Sequence, residues 1–233
     1  MFISSKTDVK SDTYAYKLIQ HVESCIRAAM DDKSNLSQDI LMYEGMSGQK
    51  TRHLYNNICT LKFDNRETRY LEIGTWKGSS LLASVYNNRH VHATVIDNWS
   101  QFNGPKDAFL GAVSSLLPST QIVNVVEADC FATDLVKNGK FDIYLYDGDH
   151  SKESHHKAMT YYKDVMNDDG TIVIVDDWNW DDVRNGTFAG IKEANLSIKY
   201  HYEIKHTDDN SHSLQPTAFT HFWNGIGIFV LVR

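Results

Sequence analysis

Apolar residues recur at helical spacing in the first quarter of the chain and in short dense blocks after it. From Tyr14 to Met30, the positions Leu18, Val22, Cys25 or Ile26, and Ala29 fall on one helical face. Ser47 is placed to cap a second helix that carries Leu54, Ile58 and Leu61. Between these helices, residues 35–48 read as an irregular segment returning towards the core. From Arg69 the rhythm changes. Runs rich in strand-forming residues at 70–73, 91–96, 121–127, 141–146 and 171–175 alternate with helical patterns at 79–88, 106–116, 131–136 and 151–166. A further helix near 181–194 precedes two late runs, 198–205 and 226–232. Strands alternating with helices mean right-handed βαβ crossovers and a mainly parallel sheet. The two late runs are suited to an antiparallel edge. The expectation is an α/β fold with helices on both faces of the sheet. An N-terminal helical cap segment, 1–68, precedes a ligand-binding domain, 69–233, the whole forming one compact unit. The long polar stretch 207–223 has the character of a lid.

With 233 residues the chain can bury one substantial α/β core and is short for two full domains. A net charge of −7 argues against a nucleic-acid partner, whose phosphates demand a basic surface. A small anionic ligand remains compatible, because a helix N-terminus binds one without net positive charge. Cys25, Cys59 and Cys130 show no CxxC spacing, so neither a disulfide framework nor a zinc site is expected, in keeping with a reducing cytoplasm. No apolar run has signal-peptide or membrane-span character. A soluble cytoplasmic protein with no membrane partner is expected. A homo-oligomer stays open, since the N-terminal helices can cover their own sheet or that of a second copy.

Parallel α/β sheets bind ligands at the carboxyl ends of their strands. That rule selects Glu72-Ile73-Gly74-Thr75-Trp76-Lys77-Gly78-Ser79-Ser80. Gly74 permits a sharp turn, Gly78 a close approach at the helix start, and the serines favour a helix N-terminus. Taken alone, this is a tight βα turn of any doubly wound protein. Two further acids raise its interest. Asp97 ends the second strand, where a carboxylate can accept bonds from ribose hydroxyls. Asp129 follows the third, where it can receive an adenine amine. Either acid by itself is more often a cap or a solvated charge.

Two other strand ends are acidic: Asp147-Gly148-Asp149-His150 and Asp176-Asp177-Trp178. Neighbouring parallel strands lie about 4.8 Å apart, so these carboxylates would converge and repel unless a cation sat among them. Oxygen donors without cysteine favour a hard ion such as Mg²⁺. The competing reading is that these acids cap the helices that follow. His155 and His156 fit a solvated helix face better than a metal site. Trp178 or Trp180 is placed to wall an acceptor pocket, while His206, His212 and His221 lie in or beside the lid.

From residue 70 to the C-terminus the sequence resembles the class I S-adenosylmethionine-dependent methyltransferases. The resemblance implies a Rossmann-like seven-stranded sheet with its last strand antiparallel. It makes Glu72, Gly74, Thr75, Gly78 and Ser79 the loop for the methionine side of the cofactor, Asp97 the ribose acid and Asp129 the adenine-side residue. The DGDH and DDW motifs look like those of the metal-dependent sugar O-methyltransferases of the macrocin and aminocoumarin type. That similarity implies Asp147, Asp176 and Asp177 as metal ligands and Asp149 as general base, with His150 competing for the role. Glu44-Gly45-Met46-Ser47-Gly48 is similar to that group's cofactor-covering segment and brings in Met46. The implied activity is Mg²⁺-assisted methylation of a hydroxyl on a small molecule, plausibly a sugar. The absence of GxGxxG weighs against the alternative, an NAD-type oxidoreductase. A third reading is a non-catalytic cofactor-binding module.

Overall fold

The computed structural model describes residues 2–7, 9–10 and 13–233. The chain divides into two compact units. One comprises Met1–Val22, Asp134–Gln215 and Asn224–Arg233; the other comprises Glu23–Thr133 and Pro216–Trp223. The boundary between them falls inside the first helix, and the expected division at 68/69 lies within the second unit.

In the first unit, five strands run in the order β1 (Phe2–Lys6), β7 (Ser197–Ile204), β8 (Ile226–Val232), β6 (Thr171–Asp176), β5 (Ile143–Tyr146). β5 and β6 are parallel, with Tyr146 opposite Val175, so both strands deliver the residues that follow them to one edge. β8 is antiparallel to both β6 and β7. β5 and β6 are buried along their whole length. That suits their unbroken runs IYLY and TIVIV, because a strand covered on both faces has no polar side to present. Each of Ile172, Val173, Ile174 and Val175 removes a side chain from water, worth about 1.5–3 kcal/mol apiece. Over this sheet α6 (Lys152–Tyr162) packs against α7 (Asp181–Glu193). Their contact is close because Gly186 and Gly190 carry no side chain: a Cβ there would fall 2.3 Å from the Lys152 carbonyl and 2.5 Å from that of His156.

In the second unit, β2 (Thr68–Ile73), β3 (Val91–Asp97) and β4 (Val123–Glu127) form a parallel set in sequence order. α1 (Tyr14–Met30), whose residues up to Val22 belong to the first unit and the rest to the second, buries Ala15, Leu18, Ile19, Val22, Cys25, Ile26 and Ala29, the face its periodicity marks out. The unit also contains α2 (Gln38–Leu41), α3 (Gln49–Ile58), α4 (Ser79–Val85), α5 (Lys106–Leu116) and α8 (Thr217–Thr220). α3 packs on α4.

The α/β class and the antiparallel last strand hold, but the described residues form eight strands rather than seven. The additional one, β1, is exposed at every position and pairs antiparallel with β7, so it leaves no burial pattern to read. The helix expected over 131–136 is instead two short 3-10 turns, Cys130–Ala132 and Val136–Asn138. Ser47 does not cap α3; Gly48 does, without a side-chain bond. His155 is a further correction: it is buried, not solvated. No helix among the described residues is long and apolar enough to cross a membrane.

Candidate active site

The loop after β2 is built from its backbone outward. Gly74, Trp76 and Gly78 all adopt positive φ, at 80°, 46° and 89°. Gly78 is further constrained because a Cβ there would meet the Phe109 ring at 2.8 Å. The strain at Trp76, a bulky residue in a left-handed conformation, needs an external tie. Asp97 supplies it. One carboxylate oxygen accepts the N–H groups of Thr75 and Trp76, both at 2.9 Å, and the other accepts Trp99 N–H at 2.7 Å. The Trp99 indole then donates to the Trp76 carbonyl at 2.9 Å. Asp97 therefore shapes the loop from the neighbouring strand, which its position alone did not reveal.

Glu72 lies wholly buried beneath this loop. Tyr70 Oη donates to it at 2.5 Å and Ser80 Oγ at 2.7 Å. Burial raises its pKa to about 7 despite those hydrogen bonds, which pull the other way. Thr75 and Ser79 are buried, whereas Met46 is well exposed. Asp129 accepts Phe131 N–H at 2.8 Å and caps the 3-10 turn that follows β4.

The acids of the first unit are arranged differently. Asp147, His150 and Asp177 each offer a ligand atom, and these atoms all lie within 4.8 Å of one another. Asp177 follows β6 with φ 56°, an uncommon backbone conformation for a residue with a side chain. Its two oxygens are both engaged: Asn224 Nδ2 donates at 2.8 Å to one, and His150 Nε2 lies 2.9 Å from the other. Asn224 is itself buried, and its amide also meets His212 Nδ1 at 3.3 Å. Asp176 stands outside this group and accepts the Asp177 N–H at 2.9 Å. Sequence reasoning did not find Asn224. The Asn-Gly pair before β8 was the available signal, and it reads there only as a turn.

Burial lowers the His150 pKa, but the hydrogen bond and charge of Asp177, with the charges of Asp176 and Asp149, raise it overall above the ordinary 6.5. Asp149 is exposed and accepts the Ser151 N–H at 3.0 Å. Hydrogen bonding from Ser151 holds its pKa below the usual carboxylate value. His155 sits edge-on to Tyr146 with ring centroids 4.9 Å apart. Burial first, and the charge of His150 second, push its pKa down to about 3, so it is neutral at physiological pH. Of the two tryptophans after the acid pair, Trp178 is core: it is fully buried, and its indole donates to Glu203 at 2.6 Å. Trp180 is the one beside the acids, its ring 4.8 Å from that of His150 and 5.1 Å from that of His212. The stretch 207–223 is tied down by Asn179, whose amide donates to the Ser211 carbonyl and Ser213 Oγ and accepts the His206 N–H.

Comparison with known proteins adds a likeness to this geometry. Residues 71–178 match the family model of a methyltransferase domain, spanning the β2 loop, Asp97, Asp129 and both acidic strand ends. No curated protein matches the chain. Among solved structures, TrmN from Thermus thermophilus aligns with a TM-score of 0.51 at 13% identity, over 83% of this chain and 51% of that one. The chain thus spans about half of TrmN. A putative caffeoyl-CoA O-methyltransferase from Staphylococcus aureus aligns at 0.52 and 15% identity, over 93% of this chain and 97% of its own. An O-methyltransferase from Bacillus cereus, solved in complex with SAH, aligns at 0.51 and 14% identity, over 93% and 91%. At such identities the structural likenesses show the fold, a Rossmann-like one. The stretch 71–178 is similar to a methyltransferase domain.

Proposed function

We propose that this protein is an S-adenosylmethionine-dependent O-methyltransferase that acts, with a divalent cation such as Mg²⁺, on a hydroxyl of a small molecule such as a sugar or sugar conjugate. The methyltransferase domain at 71–178 supports methyl transfer. The observation that carries the finer reading is the gathering of Asp147, His150 and Asp177. Their donor set fits a hard cation. Two carboxylates suffice for an ion that keeps several waters, and the exposed side of the group leaves room for them. Asp147 and Asp177 would hold the ion. Each Asp177 oxygen keeps a second lone pair beyond the bonds to Asn224 and His150. A divalent ion in such a place lowers the pKa of an acceptor hydroxyl.

The remaining chemistry falls to this chain's own side chains. A carboxylate only accepts hydrogen bonds, so His150 meets Asp177 through Nε2–H, and its lone pair is at Nδ1. His150 takes the acceptor's proton there, and the Asp177 charge stabilises the imidazolium that results. Asp149 suits the role less, because Ser151 already stabilises its ionised form and leaves it a weak base. Trp180 supplies a flat apolar face for the acceptor. The β2 loop, held by Asp97, and the segment around Met46 bind the methyl donor.

Calorimetry with S-adenosylmethionine and with NAD, each with and without Mg²⁺, tests the reading. Binding of S-adenosylmethionine alone is expected; no binding at millimolar concentration would end the proposal. Transfer of a labelled methyl group to a panel of sugars and other hydroxylated acceptors is expected to stop with EDTA.

A further inference from the structure

Arg52, in α3, is one of the largest side chains in the protein to be almost entirely buried, at 1% exposure. Its Nη1 donates to the carbonyls of Ile40, Leu41 and Tyr43 at 3.2, 2.9 and 2.6 Å. Its Nε donates to the carbonyl and hydroxyl of Ser47 at 3.2 and 3.0 Å. Every one of these partners is neutral. Nη2 is buried with no hydrogen-bond partner at all. Burial holds the guanidinium pKa down to about 10, with no nearby carboxylate acting on it, so the group is still a cation at neutral pH. A buried cation without a counter-charge is among the costliest groups a fold can contain, and a guanidinium cannot escape by losing its proton.

The surroundings of Nη2 indicate where the counter-charge belongs. Ser47 Oγ, already bonded to Nε, lies 3.2 Å from Ser79 Oγ. A Cβ on Gly45 would fall 2.1 Å from that Ser79 oxygen and 3.4 Å from Nη2. The bare backbone of Gly45 therefore lies against both the Ser79 hydroxyl and the Nη2 edge of the guanidinium, beside the loop after β2. The covering turn has no helix or strand structure, exposes Met46, and is linked to that loop by an ion pair between Glu44 and Lys77.

We infer that Arg52, with the hydroxyls of Ser47 and Ser79, forms a carboxylate site that receives the amino-acid end of the methyl donor beneath the turn at Gly45. The inference rests on the reading that the β2 loop binds S-adenosylmethionine, whose carboxylate is its one anionic group. A carboxylate matches the planar donor edge of a guanidinium and accepts from hydroxyls as well. The turn shifts to admit it, and the lack of a side chain at Gly45 lets the turn lie close to Ser79 and Nη2.

The test compares S-adenosylhomocysteine with its decarboxylated analogue by calorimetry. The wild-type protein is expected to prefer the carboxylate-bearing ligand by roughly 10- to 100-fold, the range for hydrogen bonds to charged groups. Arg52→Gln should bring S-adenosylhomocysteine down to the analogue's affinity and leave the analogue unchanged. Because Arg52 also holds the 40–47 segment, circular dichroism is run in parallel. If Arg52→Gln does not fold, Ser79→Ala, which removes one of the two hydroxyls of the site, should produce a smaller loss confined to the carboxylate-bearing ligand. Equal wild-type affinity for the two ligands, or a variant that weakens both alike, overturns the inference while leaving the donor reading intact. No binding of S-adenosylhomocysteine would overturn the donor reading and the inference together.

Discussion

Acids stand at the strand ends of both compact units, and the two sets do different work. In the second unit, both oxygens of Asp97 and one of Asp129 accept backbone N–H groups, so these acids hold the chain around them in place. In the first, Asp147 and Asp177 lie beside each other and a histidine, their ligand atoms all within 4.8 Å of one another. A carboxylate surrounded by backbone donors is a structural tie. A group of carboxylates sharing one small volume is a place that favours a cation or a proton. The contrast shows that the motif "acid at the end of a parallel strand" has two physical outcomes, decided by whether backbone N–H groups or other side chains face its oxygens.

The contrast can be broken most forcefully at His150. His150→Gln is expected to lower turnover by roughly 10²- to 10⁴-fold. Affinity for S-adenosylhomocysteine should stay within about twofold, as calorimetry would show. Asp177→Asn should weaken Mg²⁺ or Mn²⁺ binding by more than about tenfold in the same instrument, since it halves the carboxylate donors available. Unchanged metal affinity would place the ion elsewhere.

Asp97→Ala should act on stability instead. Three backbone N–H groups lose an ionised acceptor, which together costs about 3 kcal/mol in urea unfolding. A loss below about 1 kcal/mol would show that the loop does not depend on this tie.

Glu72 sharpens the comparison through pH. Its folded-state pKa, about 7, lies above the ordinary 4.5. The folded protein therefore holds more protons than the unfolded chain between those values, and stability falls as pH rises through that window and levels off above it. Glu72→Gln removes the effect. The stability of the variant relative to wild type should improve by up to roughly 3 kcal/mol between pH 4.5 and 8. A difference that stays flat across this range would mean that Glu72 is already ionised. The smallest effect is expected at Asp129→Ala, about 1 kcal/mol for the loss of a single cap bond.

Much of the architecture was legible in advance. Strand runs at 143–146, 171–176 and 226–232 announce themselves because a strand covered on both faces must be apolar throughout. The helix of Tyr14–Met30 does so through its spacing. β1 was not legible: Phe2–Lys6 buries nothing and is held by backbone bonds to β7, from residues nearly two hundred positions away. Residues 130–138 carry apolar side chains at helical spacing yet form only 3-10 turns, the first capped by Asp129. His155 and His156 are adjacent in sequence, but only the first turns into the sheet–helix interior.

At the candidate site, the sequence by itself determined the chemical types and their gathering at strand ends, because period and topology dictate where a parallel strand delivers its next residue. It could not assign each acid its partner. That Asp97 binds Thr75 and Trp76, that Asp177 rather than Asp176 meets Asp147 and His150, and that Trp180 rather than Trp178 stands beside them were decided by tertiary structure. So were the roles of Asn224 and Arg52. The physical reason is range. Hydrophobic periodicity is a local property and survives in a string of letters, whereas a hydrogen bond or an uncompensated charge depends on which groups the completed fold brings within about 3 Å.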